Sequence, residues 1–305
     1  MRTPDISLIL ATVGRTDELT RLFDSFAAQT FNRFEVVVVD QNQDDRLVPH
    51  LERARCLGVR IRHIKHFPAN LAAARNAGID AAKGKWIGFP DDDCWYSPRL
   101  LERVAKRFSA SDQPGGVLVR WVEQDEQPES AAILSWERSR AFRDISVSSI
   151  TLFCSRALLK EIGGFDSRLG VGQWFGAGEE TDLAFRALRA GALIAYEPLG
   201  EVHHAVNAEQ PVADHKTRLA TRHRARGTGA LYAKHRLPAW VILRGLAAPL
   251  LRPLMKGTFG AELALGYATV RGRLDGFLAW RRSHSGEPLR SSPASAAKNV
   301  EEMHQ

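Results

Sequence analysis

The feature that most constrains the fold is the regular alternation of short apolar runs with helix-patterned segments over the first ninety residues. Ile6 to Ala11 is a short apolar run that reads as a buried parallel strand. Thr16-Asp17-Glu18 opens a helix whose Leu19, Leu22, Phe23 and Phe26 are spaced for one buried face. Phe34 to Val39 is a second strand, nearly all valine and closed by Asp40. Val59 to Ile64 alternates apolar and basic residues and reads as a third strand near an edge. Asn70 caps a helix running through Ala72 to Ala82, stopped by Gly84, and Trp86 to Phe89 forms a fourth strand. Strands and helices joined by short connections predict an α/β domain with a mainly parallel sheet covered by helices on both faces.

The chain has 305 residues, 44% of them hydrophobic and 25% charged, enough for one large α/β domain and an appendage. Cys56, Cys94 and Cys154 lie far apart without metal-finger spacing, which argues against a disulfide framework and suits a reducing cytosol. No basic-then-apolar leader precedes Ile6, and no stretch approaches the ~18 to 20 apolar residues of a membrane span. These features predict a cytoplasmic protein. The net charge of +7 is uneven: residues 1–205 hold 26 Lys/Arg against 28 Asp/Glu, and residues 206–282 hold 14 against 4. The chain is therefore expected to comprise a near-neutral α/β body over 1–205, a basic helical module over 206–282 and a disordered tail over 283–305. The basic module points to phosphates or an anionic surface as partner. It lacks the interleaved aromatics of a nucleic-acid binder, so no nucleic acid is expected.

Asp91-Asp92-Asp93 sits where the apolar strand Lys85 to Phe89 gives out, with Pro98 marking the next helix. Ligands of open α/β sheets bind beyond the carboxyl ends of the strands. Carboxylates this crowded repel one another unless something positive sits among them. A hard divalent cation fits, and Mg²⁺ commonly joins one or two carboxylates to substrate phosphates. A solvated acidic turn ahead of the helix is the simpler alternative. Cys94 reads as packing, because a thiolate suits a hard cation poorly.

In order and spacing, several segments resemble the family-2 glycosyltransferases, inverting GT-A-fold enzymes that use nucleotide-sugar donors. They are Ser7 to Thr12 with Gly14-Arg15, Val36 to Asp40, Ala73 to Ile79, Asp91-Asp92-Asp93 with Pro98, Gly163-Gly164-Phe165-Asp166, and Gly176 to Arg186. The resemblance covers about residues 5–205. It implies that Thr12 and Arg15 border the nucleotide, Asp40 faces the base, and Arg75 flanks the diphosphate. It also implies donor contacts from Asp91 and Asp92, and a metal, Mn²⁺ or Mg²⁺, held by Asp93, Asp91 and His203, with His204 as fallback. A histidine in that set favours Mn²⁺. Glu180 stands where the family usually has an aspartate base, with Asp182 as the other candidate, and Trp174 and Phe175 form an acceptor platform or simply core. The expected partners are a nucleoside-diphosphate sugar and a glycan or lipid-linked acceptor. From Pro238 an apolar stretch with a tryptophan and basic flanks reads as a helix lying on an anionic membrane surface, on the inner face of the plasma membrane, or as a subdomain packed on the catalytic sheet. Two rivals are a nucleotidyltransferase, for which no Gly-rich phosphate loop with a following Lys appears after the first strand, and a non-catalytic glycan-binding homologue.

Overall fold

The computed structural model describes residues 3–124, 128–204 and 214–284. The chain divides into two compact units, Met1–Phe165 with Leu183–Asn207, and Asp166–Asp182 with Ala208–Gln305.

The first unit opens with β1 (Ile6–Thr12), α1 (Glu18–Ala27), β2 (Phe34–Asp40), α2 (Val48–Cys56), β3 (Ile61–Lys65), α3 (Leu71–Ala81) and β4 (Trp86–Gly88). Then follow β5 (Cys94–Tyr96), α4 (Leu100–Phe108), β6 (Gly116–Trp121), β7 (Ala132–Ile133), α5 (Trp136–Ser139) and a 3-10 turn at Ser149–Thr151. The series continues through β8 (Leu152–Ser155), α6 (Arg156–Ile162), α7 (Glu179–Arg189) and β9 (Ile194–His204). Among the described residues the strands form one mixed sheet in the order β3-β2-β1-β4-β8-β6-β9-β5, with β7 beside β9. The β3-β2-β1-β4 half is parallel, whereas β8 runs antiparallel to both β4 and β6.

Each face of the sheet carries its own core, as period-two alternation in buried strands requires. Ile6, Leu8, Leu10, Val36 and Val38 pack with Leu19, Leu22, Phe23 and Phe26 of α1 and with Leu101 and Val104 of α4. Ile9, Val37 and Val39 pack on the other side with Ala72, Ala74 and Ile79 of α3 and with Leu183 and Ala187 of α7. The third strand begins two residues later than its pattern predicts. Gly58 takes a positive φ and the Val59 N–H bonds back to the Ala54 carbonyl, so Val59 closes the turn after α2.

The second unit contains α8 (His215–Lys234), α9 (Ala239–Lys256) and α10 (Ala261–His284). Helices α8 and α10 approach backbone to backbone: a Cβ on Gly229 would lie 2.0 Å from the Arg273 carbonyl oxygen, so only glycine fits. Arg222 on α8 and Asp275 on α10 reinforce the crossing with bonds of 2.5 and 2.8 Å. Helix α9 starts after Pro238 and continues through Pro249 and Pro253. Among the described residues no helix is long and apolar enough to cross a membrane.

Two expected boundaries change. Asp166–Asp182, assigned from sequence to the first body, groups with the C-terminal helices, because Leu169 and Phe175 share a core with Ala230, Leu231 and Trp280. The expected tail begins two residues late, since α10 runs to His284, and residues 285–305 lie outside the described residues.

Candidate active site

In the first unit the acidic run is laced together by cations and hydroxyls. β1 ends on Thr12, whose hydroxyl donates to Asp92 Oδ2 at 2.6 Å. Arg15, in the loop after β1, donates to Asp92 Oδ1 at 2.8 Å and also to Asp93 Oδ2. Buried Arg75 of α3 lies 3.0 Å from Asp91 Oδ1, where Ser149 Oγ also bonds at 3.5 Å. Thr12, Arg15, Asp92 and Asp93 are thus brought together in one hydrogen-bonded cluster.

The electrostatics separate the carboxylates. Burial pushes the Asp92 carboxyl above its ordinary value, and Thr12 and Arg15 only partly offset it. Burial also acts on Asp93, but the His204 imidazole and the Arg15 guanidinium outweigh it and hold that carboxyl at about 2. Cys94 is fully buried and its thiol is pushed up by burial, in keeping with a packing role.

The structure corrects three expectations. His203 does not reach the acidic run. The β5–β9 register pairs Trp95 with His203 and Cys94 with His204, and successive strand residues face opposite ways. His203 accordingly stacks on Trp95, with ring centroids 5.2 Å apart, and its nitrogens bond Ser97 and Glu123 at 3.1 and 2.9 Å. His204 Nε2 instead lies 3.0 Å from Asp93 Oδ1. Asp91 is not grouped with Asp93 and His204 among the described residues, and its Oδ1 is engaged by Arg75 and Ser149.

Asp40 does not offer its carboxylate to a base. It is fully buried, and Oδ1 accepts from the backbone and side-chain N–H of Asn42 at 2.8 Å each. Oδ2 meets His63 at 2.9 Å and Lys65 at 3.0 Å. Burial would raise this carboxyl, yet these four donors bring it below its ordinary value. Asp40 therefore fixes the loop after β2: Lys65 also bonds the carbonyls of Asn42 and Asp44 at 3.2 and 2.5 Å, and Asn42 Oδ1 accepts from the Gly14 N–H at 2.7 Å. Sequence reasoning missed His63 and Lys65. The signal lay in the parallel register, which sets Lys65 opposite Asp40.

The residues fit a divalent cation only in part. Among the described residues no three His, Cys, Asp or Glu side chains are grouped to hold a metal. Asp93 and His204 would be the donors, and a cation placed there would need its remaining ligands from substrate and water. Arg15 is the positive charge that now lies against Asp93.

The base candidates belong to the second unit and the start of α7. Gly178 adopts a positive φ of 99° and lets the chain turn into that helix, whose first turn carries Glu179, Glu180 and Asp182. Glu179 is buried and packs against Gly170. Asp182 is fully buried, with its Oδ1 2.7 Å from Lys234 Nζ and 2.9 Å from His235 Nε2. Lys234 also meets Asp166 at 2.6 Å. Asp182 is thus held by Lys234 and His235, whereas Glu180, on the same turn, is half-buried. Phe175 is core, and Trp174 lies against it with the Arg226 guanidinium 4.5 Å from its ring.

Comparison with known proteins places this architecture. Residues 7–155 match the sequence model of Glycosyl transferase family 2. Putative glycosyltransferase EpsH of Bacillus subtilis is 28% identical over 126 residues, 41% of this chain and 36% of EpsH. Succinoglycan biosynthesis protein ExoO of Rhizobium meliloti is 32% identical over 113 residues, 36% of this chain and 31% of ExoO. The chain thus spans about a third of the length of these curated relatives. Among solved structures, the mannosyltransferase PcManGT of Pyrobaculum calidifontis, in complex with GDP-Man and Mn²⁺, superposes with a TM-score of 0.60 at 17% identity, over 99% of this chain and 81% of that one. On the family match, these relatives and the shared architecture, the chain carries a family-2 glycosyltransferase domain of the GT-A fold.

Proposed function

We propose that the protein is a metal-dependent, inverting glycosyltransferase that moves a sugar from a nucleoside diphosphate to a hydroxyl of a glycan or lipid-linked acceptor, in cell-surface polysaccharide or glycolipid synthesis. The observation that carries this reading is the Asp93–His204 pair, 3.0 Å apart, beyond the parallel strands of a family-2 domain. One carboxylate and one imidazole suit Mn²⁺, with Mg²⁺ the alternative, and leave positions for diphosphate oxygens. PcManGT, bound to GDP-Man and Mn²⁺, supports both the ion and the class of donor. When bound, the ion would offset the charge that gathers on the leaving diphosphate.

The chain's own residues do the rest. Thr12 and Arg15 hold Asp92, His204 and Arg15 keep Asp93 ionised, and Arg15 brings a permanent positive charge to the diphosphate edge. Asp40, through Asn42 and Lys65, holds the loop that borders the nucleotide. Arg75 fixes Asp91. Glu180, standing at the family's base position, takes the proton of the acceptor hydroxyl, which attacks the anomeric carbon from the face opposite the departing diphosphate. The acceptor's setting is an anionic membrane surface on the cytoplasmic side.

A panel of nucleoside-diphosphate sugars with Mn²⁺ tests this reading through the nucleotide released. Nucleoside diphosphate is expected, with its release abolished by EDTA. Nucleoside monophosphate would instead identify a nucleotidyltransferase, and turnover that survives EDTA would overturn metal dependence.

A further inference from the structure

Helix α9 presents its apolar side to solvent. Trp240, Leu243, Leu251, Leu254 and Met255 are 48, 65, 51, 47 and 86% exposed, and Ala247 is exposed between them. Their spacing of three, four, four and three residues from 240 to 254 follows the helical repeat, so they form one continuous stripe roughly 20 Å long. Phe259, just beyond the helix, is 69% exposed. A stripe of this size on a soluble surface marks a site of attachment. Cationic side chains accompany it: exposed Arg252 adjoins it, and the Arg244 guanidinium stands 5.5 Å from the Trp240 ring centroid. The exposed row of α10 repeats the mixture with Tyr267, Arg271, Leu274, Leu278 and Arg281.

We infer that the α9 stripe is a docking element that lies in the headgroup region of an anionic membrane, its apolar residues entering the acyl boundary while arginines meet lipid phosphates. This rests on, and deepens, the proposal that the acceptor is met at a membrane. Charge selects the occupant. Residues 206–282 hold 14 Lys/Arg against 4 Asp/Glu, so a second copy would bring like charge against like, whereas an anionic surface neutralises it. A tryptophan at one end and unbroken apolar residues along one side match helices that lie in the interface plane.

The test is flotation of the full chain with vesicles of phosphatidylcholine alone or with phosphatidylglycerol, at low and high salt, without donor. Binding is expected to the anionic vesicles at low salt and to fall steeply with salt. Leu243→Gln with Leu251→Gln should weaken it by ~10-fold or more, since each removes an inserted apolar side chain. Nucleoside-diphosphate release without vesicles is measured in parallel and should be the same in the double variant, which keeps the fate of the transferase reading apart from this one. Wild-type protein that fails to float with anionic vesicles overturns the inference, as does equal flotation of the double variant. A wild-type dimer in sedimentation velocity that the double variant abolishes also overturns it, by showing that a second copy covers the stripe.

Discussion

The Nε2 of His204 lies 3.0 Å from Oδ1 of Asp93, while its neighbour His203 turns to Ser97 and Glu123 on the opposite side of β9. Two adjacent histidines thus have unlike partners, set by strand alternation. His204→Ala should raise the Mn²⁺ concentration for half-maximal activity on the order of 10- to 100-fold. His203→Ala should leave that concentration nearly unchanged. A metal titration of donor turnover in both variants decides between them, and the reverse order would return the ligand role to His203.

Arg15 occupies the place on Asp93 for which a divalent cation, on the reading proposed above, would compete. In the structure Arg15 bridges Asp92 and Asp93, supplying the positive charge that three adjacent carboxylates need. Arg15→Gln should therefore lower the melting temperature in EDTA, where nothing else offsets the repulsion. Addition of Mn²⁺ should then raise it by more than in the wild type, because a ligand of the native state stabilises in proportion to its affinity. Paired thermal-unfolding curves with EDTA and with Mn²⁺ check this, and an unchanged Mn²⁺ increment would count against the competition.

Much of this was legible in the sequence, and its failures share a cause. The valine run of β2, the Asn70 cap, whose side chain accepts from the Ala73 N–H at 2.9 Å, and the acidic run after β4 are local signals, and the structure keeps all three. Asp40 was legible as a strand-terminal carboxylate but not as one already satisfied, since His63 and Lys65 meet it only through the β2–β3 register. His204 was obscured similarly, because β5 is three residues long and its pairing with β9 has no local signature. Pairing across 80 or more residues, as between Thr12 and Asp92, is a tertiary fact that periodicity does not carry. The segment Asp166–Asp182 was read with the catalytic body because its motif follows in sequence, yet its anchors Lys234 and His235 come from the far end of α8.

That anchoring separates Asp182 from Glu180 in the α7 turn. Glu180→Gln should reduce turnover by ~10²- to 10⁴-fold with donor affinity nearly unchanged, as loss of a general base does. Asp182→Asn should act on the fold instead, because it leaves the buried His235 without its carboxylate and Lys234 with Asp166 alone. A destabilisation of about 3 kcal/mol is expected from breaking such a buried pair. Steady-state kinetics and denaturant unfolding on both variants distinguish these losses. A stable but inactive Asp182→Asn beside a near-normal Glu180→Gln would move the base two residues along the helix.

The pH dependence of stability should report on Asp166. Burial alone would raise its carboxyl, but Arg168 and Lys234 overcome that and hold it well below the ordinary carboxylate range. Arg168 bonds it at 2.7 and 2.9 Å and Lys234 at 2.6 Å. A carboxyl whose pKa is depressed in the folded state binds fewer protons folded than unfolded, so stability rises with pH across the interval between the two values. The contribution is complete above the unfolded value near pH 4 and disappears as pH falls through the lower folded value. Asp166→Asn should therefore cost about 2 kcal/mol at pH 7, the worth of hydrogen bonds to a charged group. The difference from wild type should persist unchanged down to about pH 5 and shrink below pH 4. Urea unfolding of both proteins from pH 7 to pH 3 measures it, and a gap that stays constant to pH 3 would show that Asp166 is not held in its charged form by these partners.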